Sequence, residues 1–303
     1  MADYDLIVRN AKIVTAERQS EGDIAVKDGK VAALGADVKA TATREIDAAG
    51  KFVLPGGVDS HCHIEQKSGM GVMCADDFYT GTVSAAFGGT TTVIPFAAQH
   101  RGMSLRQVVK DYHAAATPKA VIDYAFHLII TDPSPQALGQ ELPALIKDGY
   151  TSFKIYMTYD AMKVSDYQML DILALARRDG ALVMVHAENH DMITWLAHHL
   201  VDQGHVAPKF HAIAHARVAE AEATNRAISL ARLVDAPLLI VHSKGDPTAP
   251  IGNAEYIRDH VGSSDARIEV LEGYDHLITV GERLARFQDR IIGFLRRLES
   301  EQP

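Results

Sequence analysis

Four histidines and one lysine stand out in this sequence because each closes a short run of apolar or β-branched residues. They are His61 and His63 in GGVDSHCHI, Lys154 in SFKIYM, His186 in VMVHAEN and His242 in LIVHS. Each run predicts a β-strand, so each side chain is expected at the carboxyl end of a strand. In a (β/α)₈ barrel these ends meet at one mouth, where the chemistry takes place. The convergence of these residues therefore predicts a metal site that holds two ions.

The five side chains differ in how they could bind a metal. His61 and His63 are two residues apart, so both imidazoles lie on one side of a strand and can reach one ion. An ammonium group has no lone pair for a metal. Lys154, if buried and neutral, can instead capture carbon dioxide as a carbamate, whose two oxygens can bridge two cations. A single histidine such as His186 or His242 is more often a core residue, but two with the same placement favour metal binding.

Two patterns predict the elements that position these residues. Residues 1–53 alternate apolar and polar positions between turn residues, which predicts a small antiparallel β subdomain. From Val53 onward, apolar runs alternate with amphipathic helical stretches, which predicts a parallel sheet covered by helices. We count at most seven core strands, one fewer than a closed eight-stranded barrel has. The predicted fold class is therefore α/β: an incomplete, TIM-barrel-like (β/α) parallel core with a small N-terminal antiparallel β subdomain.

Composition excludes several classes of function. The formal net charge is −9 and no basic cluster occurs, which argues against a nucleic-acid partner. No apolar run approaches the roughly 20 residues of a membrane span, and the first residues lack a signal-peptide pattern. The two cysteines cannot form a disulfide framework. These features predict a cytoplasmic enzyme with no membrane partner.

Several segments closely resemble the amidohydrolase superfamily, specifically its hydantoinase and dihydropyrimidinase branch. The resemblance covers residues 1–242. The matching stretches are LPGGVDSHCHIE, ADDFYTGTVSAAFGGTTTVIPFAAQH, IDYAFHLII, TSFKIYMTYDA, LVMVHAEN and EAEATNRAISLARLVDAPLLIVH. The resemblance implies two zinc ions per chain. His61 and His63 would bind the more buried ion, and carbamylated Lys154 would bridge to the second ion, held by His186 and His242.

The resemblance also implies a substrate and a reaction. Tyr159, a few residues after the bridging lysine, would bind the substrate carbonyl and its developing oxyanion, whereas Tyr156 is expected in the core. The substrate would be a small cyclic amide, and metal-assisted hydrolysis would open cyclic ureides to N-carbamoyl amino acids. Assembly into a homo-oligomer stays open.

The last part of the sequence resembles a different family. Residues 243–303 are similar to the C-terminal end of an α/β-hydrolase carboxylesterase, with Asp246 as the triad acid and His276 as the base. No G-x-S-x-G nucleophile elbow occurs in the sequence. The predicted organisation is a chimera: a β subdomain over 1–53, an amidohydrolase-like barrel part over 54–242 and an esterase-like segment over 243–303.

Three functions follow from this organisation. The family's metal-binding aspartate, which acts as acid and base, is not found at its usual spacing, and Asp275 in GYDH is a candidate replacement. A cyclic amide hydrolase with reduced activity is therefore the leading hypothesis. A protein that binds metal but lacks activity is the alternative, and a serine esterase without its nucleophile is the weakest.

Overall fold

The computed structural model describes residues 2–15, 18–67 and 71–236, together with the backbone of two strands at 238–243 and 266–271. The predicted roles of Asp246, Asp275 and His276 fall outside these residues. The described residues divide into one compact unit that ends at Gly57 and a second that begins at Val58.

The first unit is a five-stranded sheet. Its strands are Tyr4–Val14 (β1), Gln19–Lys27 (β2), Lys30–Gly35 (β3), Ala42–Asp47 (β4) and Phe52–Val53 (β5). β1, β2 and β3 form the predicted antiparallel meander, whereas β4 and β5 both pair with β1 in parallel. The N-terminal β subdomain is thus confirmed, with a mixed sheet in place of a purely antiparallel one.

Arg9 on β1 contacts the segment that precedes β4. Its guanidinium donates to Asp23 Oδ2 at 2.9 Å and to the carbonyls of Val38 at 2.6 Å and Ala40 at 3.0 Å. These contacts link β1 and β2 to the connection between β3 and β4. Arg9 also pairs with Glu45 on β4 itself.

The second unit alternates strands and helices. Its strands are Gly57–Cys62 (β6), Thr90–Ala98 (β7), Asp123–Tyr124 (β8), His127–Ile129 (β9), Ser152–Tyr156 (β10), Leu182–His186 (β11), Leu238–Ser243 (β12) and Ala266–Leu271 (β13). Its α-helices are Phe78–Phe87 (α1), Leu105–Ala116 (α2), Leu142–Lys147 (α3), Asp166–Asp179 (α4), His190–Asp202 (α5), His211–Ala214 (α6) and Arg217–Leu233 (α7). A π-helical turn at Ala137–Glu141 precedes α3, and a 3₁₀ turn at Pro208–Phe210 precedes α6.

The main sheet of this unit has the order β11-β10-β9-β7-β6, with β8 also paired to β7. The strand pairs β7–β8, β7–β9, β9–β10 and β10–β11 are all parallel. β12 and β13 form a separate two-stranded parallel sheet, in which His242 lies opposite Val270. This alternation of parallel strands and helices confirms the predicted α/β class.

Capping residues mark the boundaries of two helices. Ser104 and Ser165 accept hydrogen bonds from backbone N–H groups in the first turns of α2 and α4. α4 ends at Gly180, which has a φ of 77° that favours glycine. Among the described residues, no helix combines the length and apolar character that crossing a membrane requires.

One predicted strand is interrupted in the structure. The run AVIDYAFHLII predicts a single strand, but it forms the short strands β8 and β9 with a gap at residues 125–126. Both strands pair with β7, and the gap lies opposite the Ile94–Pro95 segment. Pro95 has no N–H to donate to a neighbouring strand, so the hydrogen-bonded pairing with β7 is interrupted between β8 and β9.

The two faces of the sheet pack differently. One face and the helices form the larger core, which includes Phe153 and Ile155 of β10. The opposite face carries a smaller cluster, and we call it the site face. This cluster consists of Phe96, Ala98, Ile129 and Tyr156.

Replacing Phe153 with alanine is expected to lower the free energy of unfolding by about 3–5 kcal/mol, because the lost contacts leave a cavity. Phe153 is completely buried in the larger core. Phe87 is 91% exposed, so Phe87→Ala is the matched control and should change stability by less than about 0.5 kcal/mol. Chemical denaturation measures both variants. Equal effects of the two substitutions would contradict the assignment of this core.

Candidate metal and active site

The register of the parallel sheet places Lys154 and His186 on the same face. Lys154 lies opposite Met184 of β11 and Ile129 of β9, and Tyr156 lies opposite His186. Residues opposite one another in a sheet share a face, and residues two apart along a strand do so as well. Lys154, Tyr156 and His186 therefore all lie on the site face, with Tyr156 and His186 at the carboxyl ends of their strands. Lys154 lies in the middle of β10, so its predicted place at the carboxyl end of the strand is wrong: the strand continues through Ile155 and Tyr156.

Phe96 of β7 joins His61 and His63 to this face. Its ring centroid lies 4.8 Å from that of His61 and 5.1 Å from that of His63. The Nζ atom of Lys154 lies 5.4 Å from the centre of the Phe96 ring. Three of the predicted metal ligands thus surround one aromatic ring.

His61 and His63 project together from the end of β6. Their ring centroids are 5.8 Å apart, and Cys62 between them packs against the larger core on the other face. Burial, followed by the charge of Asp59, raises the pKa of Cys62 to about 12, so this thiol stays protonated. Cys62 thus packs against the larger core, away from the face on which the two imidazoles lie.

Both imidazoles of this pair can offer a lone pair. Burial, followed by the nearby Lys154, lowers the pKa of His61, so the neutral ring is favoured. His63 Nδ1 lies 2.6 Å from the Oε1 atom of Gln66. Because an amide oxygen only accepts, Nδ1 carries the proton, and Nε2 of the neutral ring keeps its lone pair for a metal.

Lys154 is buried among aromatic rings. Its side chain is 8% exposed, and Nζ lies 5.6 Å from the ring centre of Tyr156 in addition to its contact with Phe96. Burial lowers the pKa of this amine, and no ion pair of Lys154 occurs within the part of the chain that the structure describes. A buried amine without a counter-ion favours the neutral form, which is the form that captures carbon dioxide. Lys154 therefore fits the predicted carbamate.

His186 and Tyr159 meet at the end of β11. The His186 ring stacks on Tyr156, with centroids 5.3 Å apart, and Tyr159 lies 5.3 Å from the same ring. Tyr156 is 8% exposed, which confirms its predicted place in the core, whereas Tyr159 is 43% exposed. Burial, followed by the charge of Glu188, raises the pKa of Tyr159. Its phenol therefore stays protonated and can donate a hydrogen bond.

The backbone after β10 sets the position of Tyr159. Tyr159 has a φ of 69°, a left-handed conformation that is uncommon for residues other than glycine. Its carbonyl accepts from the N–H groups of Met162 at 2.9 Å and Lys163 at 2.8 Å, and Val164 N donates to the Tyr156 carbonyl at 3.0 Å. The resulting tight turn folds back on the end of β10.

Three polar residues near the site were missed by the sequence analysis. Glu188 lies between two imidazoles, with Oε2 2.7 Å from His186 Nε2 and Oε1 2.8 Å from His215 Nδ1. Burial acts to raise the pKa of Glu188, but the hydrogen bonds from His215 and His186 outweigh it and lower the pKa. His127 is buried beside Phe96, and burial lowers its pKa. Only Glu188, two residues after a predicted ligand, had a signal in the sequence.

At His242 the structure describes the backbone but not the side chain. The convergence of His242 with the other predicted ligands therefore stays a prediction. Within residues 2–15, 18–67 and 71–236, no three His, Cys, Asp or Glu side chains form a cluster that could hold a metal. The predicted centre also includes Lys154, which is not one of these four residue types, and His242, which lies outside these ranges.

Comparison with known proteins identifies the family. The sequence profile of the Amidohydrolase family matches residues 52–253, which is most of the second unit and extends beyond the predicted junction at 242/243. The chain therefore belongs to the amidohydrolase family. Members of this family are typically metal-dependent.

Hydantoinases are among the proteins that this chain resembles. It is 45% identical over 239 residues to a D-hydantoinase of Rhizobium radiobacter and 44% identical over 239 residues to one of Ralstonia pickettii. A solved D-hydantoinase structure matches with a TM-score of 0.79 at 40% identity, over 88% of this chain and 57% of that one. A dihydropyrimidinase from Brevibacillus agri matches with a TM-score of 0.78 at 36% identity, over 87% and 56% of the two chains. The predicted branch of the family is thus confirmed.

The chain matches only part of each curated relative. The two curated relatives are each covered over 52% of their length by 78% of this chain. The chain thus spans about half the length of the curated relatives that it matches. The activity of a whole relative is therefore a proposal for this chain.

Proposed function

We propose that this protein is a zinc-dependent cyclic amide hydrolase that opens cyclic ureides to N-carbamoyl amino acids. One observation carries the proposal: the buried amine of Lys154, which has no ion pair within the described residues, shares a sheet face with His186 and, around Phe96, with His61 and His63. A buried lysine beside three histidines at strand ends is the arrangement expected for a carbamate-bridged metal centre. The names of the relatives, D-hydantoinase and dihydropyrimidinase, support the substrate class.

The residues that would hold the metals are those predicted from the sequence. We propose two zinc ions per chain, the first bound by His61 and His63, the second by His186 and His242, and both bridged by carbamylated Lys154. When bound, such ions lower the pKa of a water molecule and polarise the scissile carbonyl. The imidazoles and the buried amine of the described residues are the donor types that this set requires.

The chain's own residues would orient the substrate and complete the hydrolysis. The protonated Tyr159 phenol would donate a hydrogen bond to the substrate carbonyl, and this bond would strengthen as negative charge develops on the oxygen. Tyr156 and Phe96 are buried in the cluster of the site face, where their rings contact the predicted ligands and would hold them in position. In the overall reaction, water oxygen bonds to the carbonyl carbon, the ring C–N bond breaks, and a water proton moves to the leaving nitrogen.

Location and assembly belong to the same proposal. Cys62 and Cys74 are both free thiols, which supports a reducing compartment such as the cytoplasm. A homo-oligomer and a role for Asp275 as the acid and base both stay predictions.

Purified protein loaded with zinc is expected to open dihydrouracil and 5-substituted hydantoins, and a chelator should abolish this turnover until zinc is restored. His61→Ala should lower turnover and zinc content together, because it removes a ligand. His198→Ala is the matched control, since His198 is exposed on α5. Ring opening is followed by ultraviolet absorbance and by detection of the N-carbamoyl product.

The alternatives give different results in the same assays. Zinc bound without turnover of any cyclic ureide would support the protein that binds metal but lacks activity. Hydrolysis of a nitrophenyl ester that resists chelation and is lost in His276→Ala would support the esterase. Either result would contradict the proposed function.

A further inference from the structure

Glu188 links a predicted metal ligand to a histidine from a different part of the chain. Its Oε2 atom contacts His186 Nε2 at 2.7 Å, and its Oε1 atom contacts His215 Nδ1 at 2.8 Å. The Glu188 side chain is 19% exposed, and those of His186 and His215 are 32% and 21% exposed. Each carboxylate oxygen thus has one imidazole partner in a largely buried setting.

This geometry determines which nitrogen of His186 carries a proton. An ionised carboxylate offers only hydrogen-bond acceptors, so the ring nitrogen that faces it must be an N–H group. The nitrogen of His186 that faces Glu188 is therefore Nε2–H, which leaves Nδ1 as the ring atom that could offer a lone pair to a metal. A histidine can bind a metal only through such a lone pair, and a carboxylate on the other nitrogen commonly fixes it.

The surrounding contacts hold Glu188 in place from both ends. The next residue, Asn189, caps α5 by accepting from Met192 N at 3.1 Å, and its own N–H donates to the Ala219 carbonyl of α7 at 3.0 Å. His215 follows α6 directly and precedes the start of α7. The carboxylate is therefore anchored along the chain by Asn189 and across space by His215.

We propose that Glu188 is a positioning residue for the metal centre. It holds His186 in the Nε2–H tautomer, so that Nδ1 is available to the metal, while His215 orients the Glu188 carboxylate. This inference rests on the proposed function, because His186 must be a metal ligand for its tautomer to matter. Loss of an outer partner of this type typically weakens metal binding about 10–100-fold.

The test replaces Glu188 with methionine, which has a similar length and lacks a carboxylate. Zinc affinity, measured by competition with a chromophoric chelator, should fall about 10–100-fold. In protein labelled with ¹⁵N-histidine, long-range ¹H–¹⁵N spectra should show His186 as Nε2–H in the parent and as a tautomer mixture in Glu188→Met. The His186→Asn variant identifies the His186 resonances.

Glu220→Met is the matched control. Glu220 is exposed in the first turn of α7 and forms no hydrogen bond or ion pair with Glu188, Asn189 or His186 within the described residues. It should leave the His186 tautomer and the zinc affinity at parental values. A merely structural role for Glu188 predicts lower thermal stability with both readouts unchanged, and that result would overturn the proposal.

Zinc binding by the parent protein and by Glu188→Met distinguishes failure of this inference from failure of the proposed function. A parent protein that binds no zinc overturns the proposed function and the metal role of Glu188 with it. A parent that binds zinc as tightly as Glu188→Met does overturns the role of Glu188 alone. Weaker binding together with a mixed tautomer in Glu188→Met supports the proposal.

Discussion

Replacing Lys154 with alanine is expected to remove most of the bound zinc and to lower turnover of a cyclic ureide by more than about 100-fold. Loss of an outer partner of a metal ligand already costs about 10–100-fold, and Lys154 is predicted to bind both ions directly. Zinc content is measured by plasma mass spectrometry on the purified protein. Turnover is measured with a 5-substituted hydantoin.

The chemistry of the buried amine explains this expected effect. Burial lowers the pKa of Lys154, so a larger fraction of the amine is neutral near neutral pH. The neutral amine can then bond to the carbon of carbon dioxide and release a proton, which yields an anionic carbamate. Incubation with ¹³C-bicarbonate should therefore produce a carbamate carbon signal in the parent protein that is absent from Lys154→Ala.

Two further measurements make the Lys154 prediction specific. A short-chain carboxylic acid such as propionate should partly restore zinc content and turnover to Lys154→Ala, because its carboxylate can take the place of the carbamate. Lys147→Ala is the control, since Lys147 is exposed at the end of α3, and it should keep the parental zinc content. A Lys154→Ala protein with a full complement of zinc would contradict the predicted bridge.

Much of the fold could be predicted because its signals are local. Buried strands produce continuous apolar runs, and the capping residues Ser104 and Ser165 mark helix starts from their own side chains. The parallel direction of β4 could not be predicted in this way, since it lies in pairing between distant residues such as Leu6 and Arg44, in the region where Arg9 contacts residues 14 to 36 positions away. The gap between β8 and β9 likewise arises from Pro95 on a neighbouring strand.

The candidate site shows the same division between local and distant information. Lys154 and His186 were predicted because each lies in or at the end of its own short apolar run, and the register then places both on one face. His215 was missed because its contact with Glu188 spans 27 residues, across the whole of α5 and α6. No periodic pattern in the sequence indicates which distant histidine will meet a given carboxylate.

Replacing Tyr159 with phenylalanine is expected to lower kcat for ring opening by about 10²–10³-fold, the usual cost of losing one oxyanion donor. KM should change much less, because the hydrogen bond strengthens only as charge develops on the carbonyl oxygen. Zinc content should stay at the parental value. Tyr167→Phe is the control, since Tyr167 is 75% exposed on α4 and should have no effect on turnover.

The ring of Tyr159 offers a second role, contact with His186. Substitution by phenylalanine and by alanine separates this role from hydrogen-bond donation by the hydroxyl group. The centroid of the Tyr159 ring lies 5.3 Å from that of His186, so the ring could support a metal ligand without any contribution from the hydroxyl group. Phenylalanine keeps this ring contact and removes only the donor, whereas alanine removes both. If Tyr159 acts as the oxyanion donor, Tyr159→Phe loses kcat at full zinc content. Parental kcat in Tyr159→Phe, with loss of both zinc and turnover in Tyr159→Ala, would show instead that Tyr159 acts only by supporting His186.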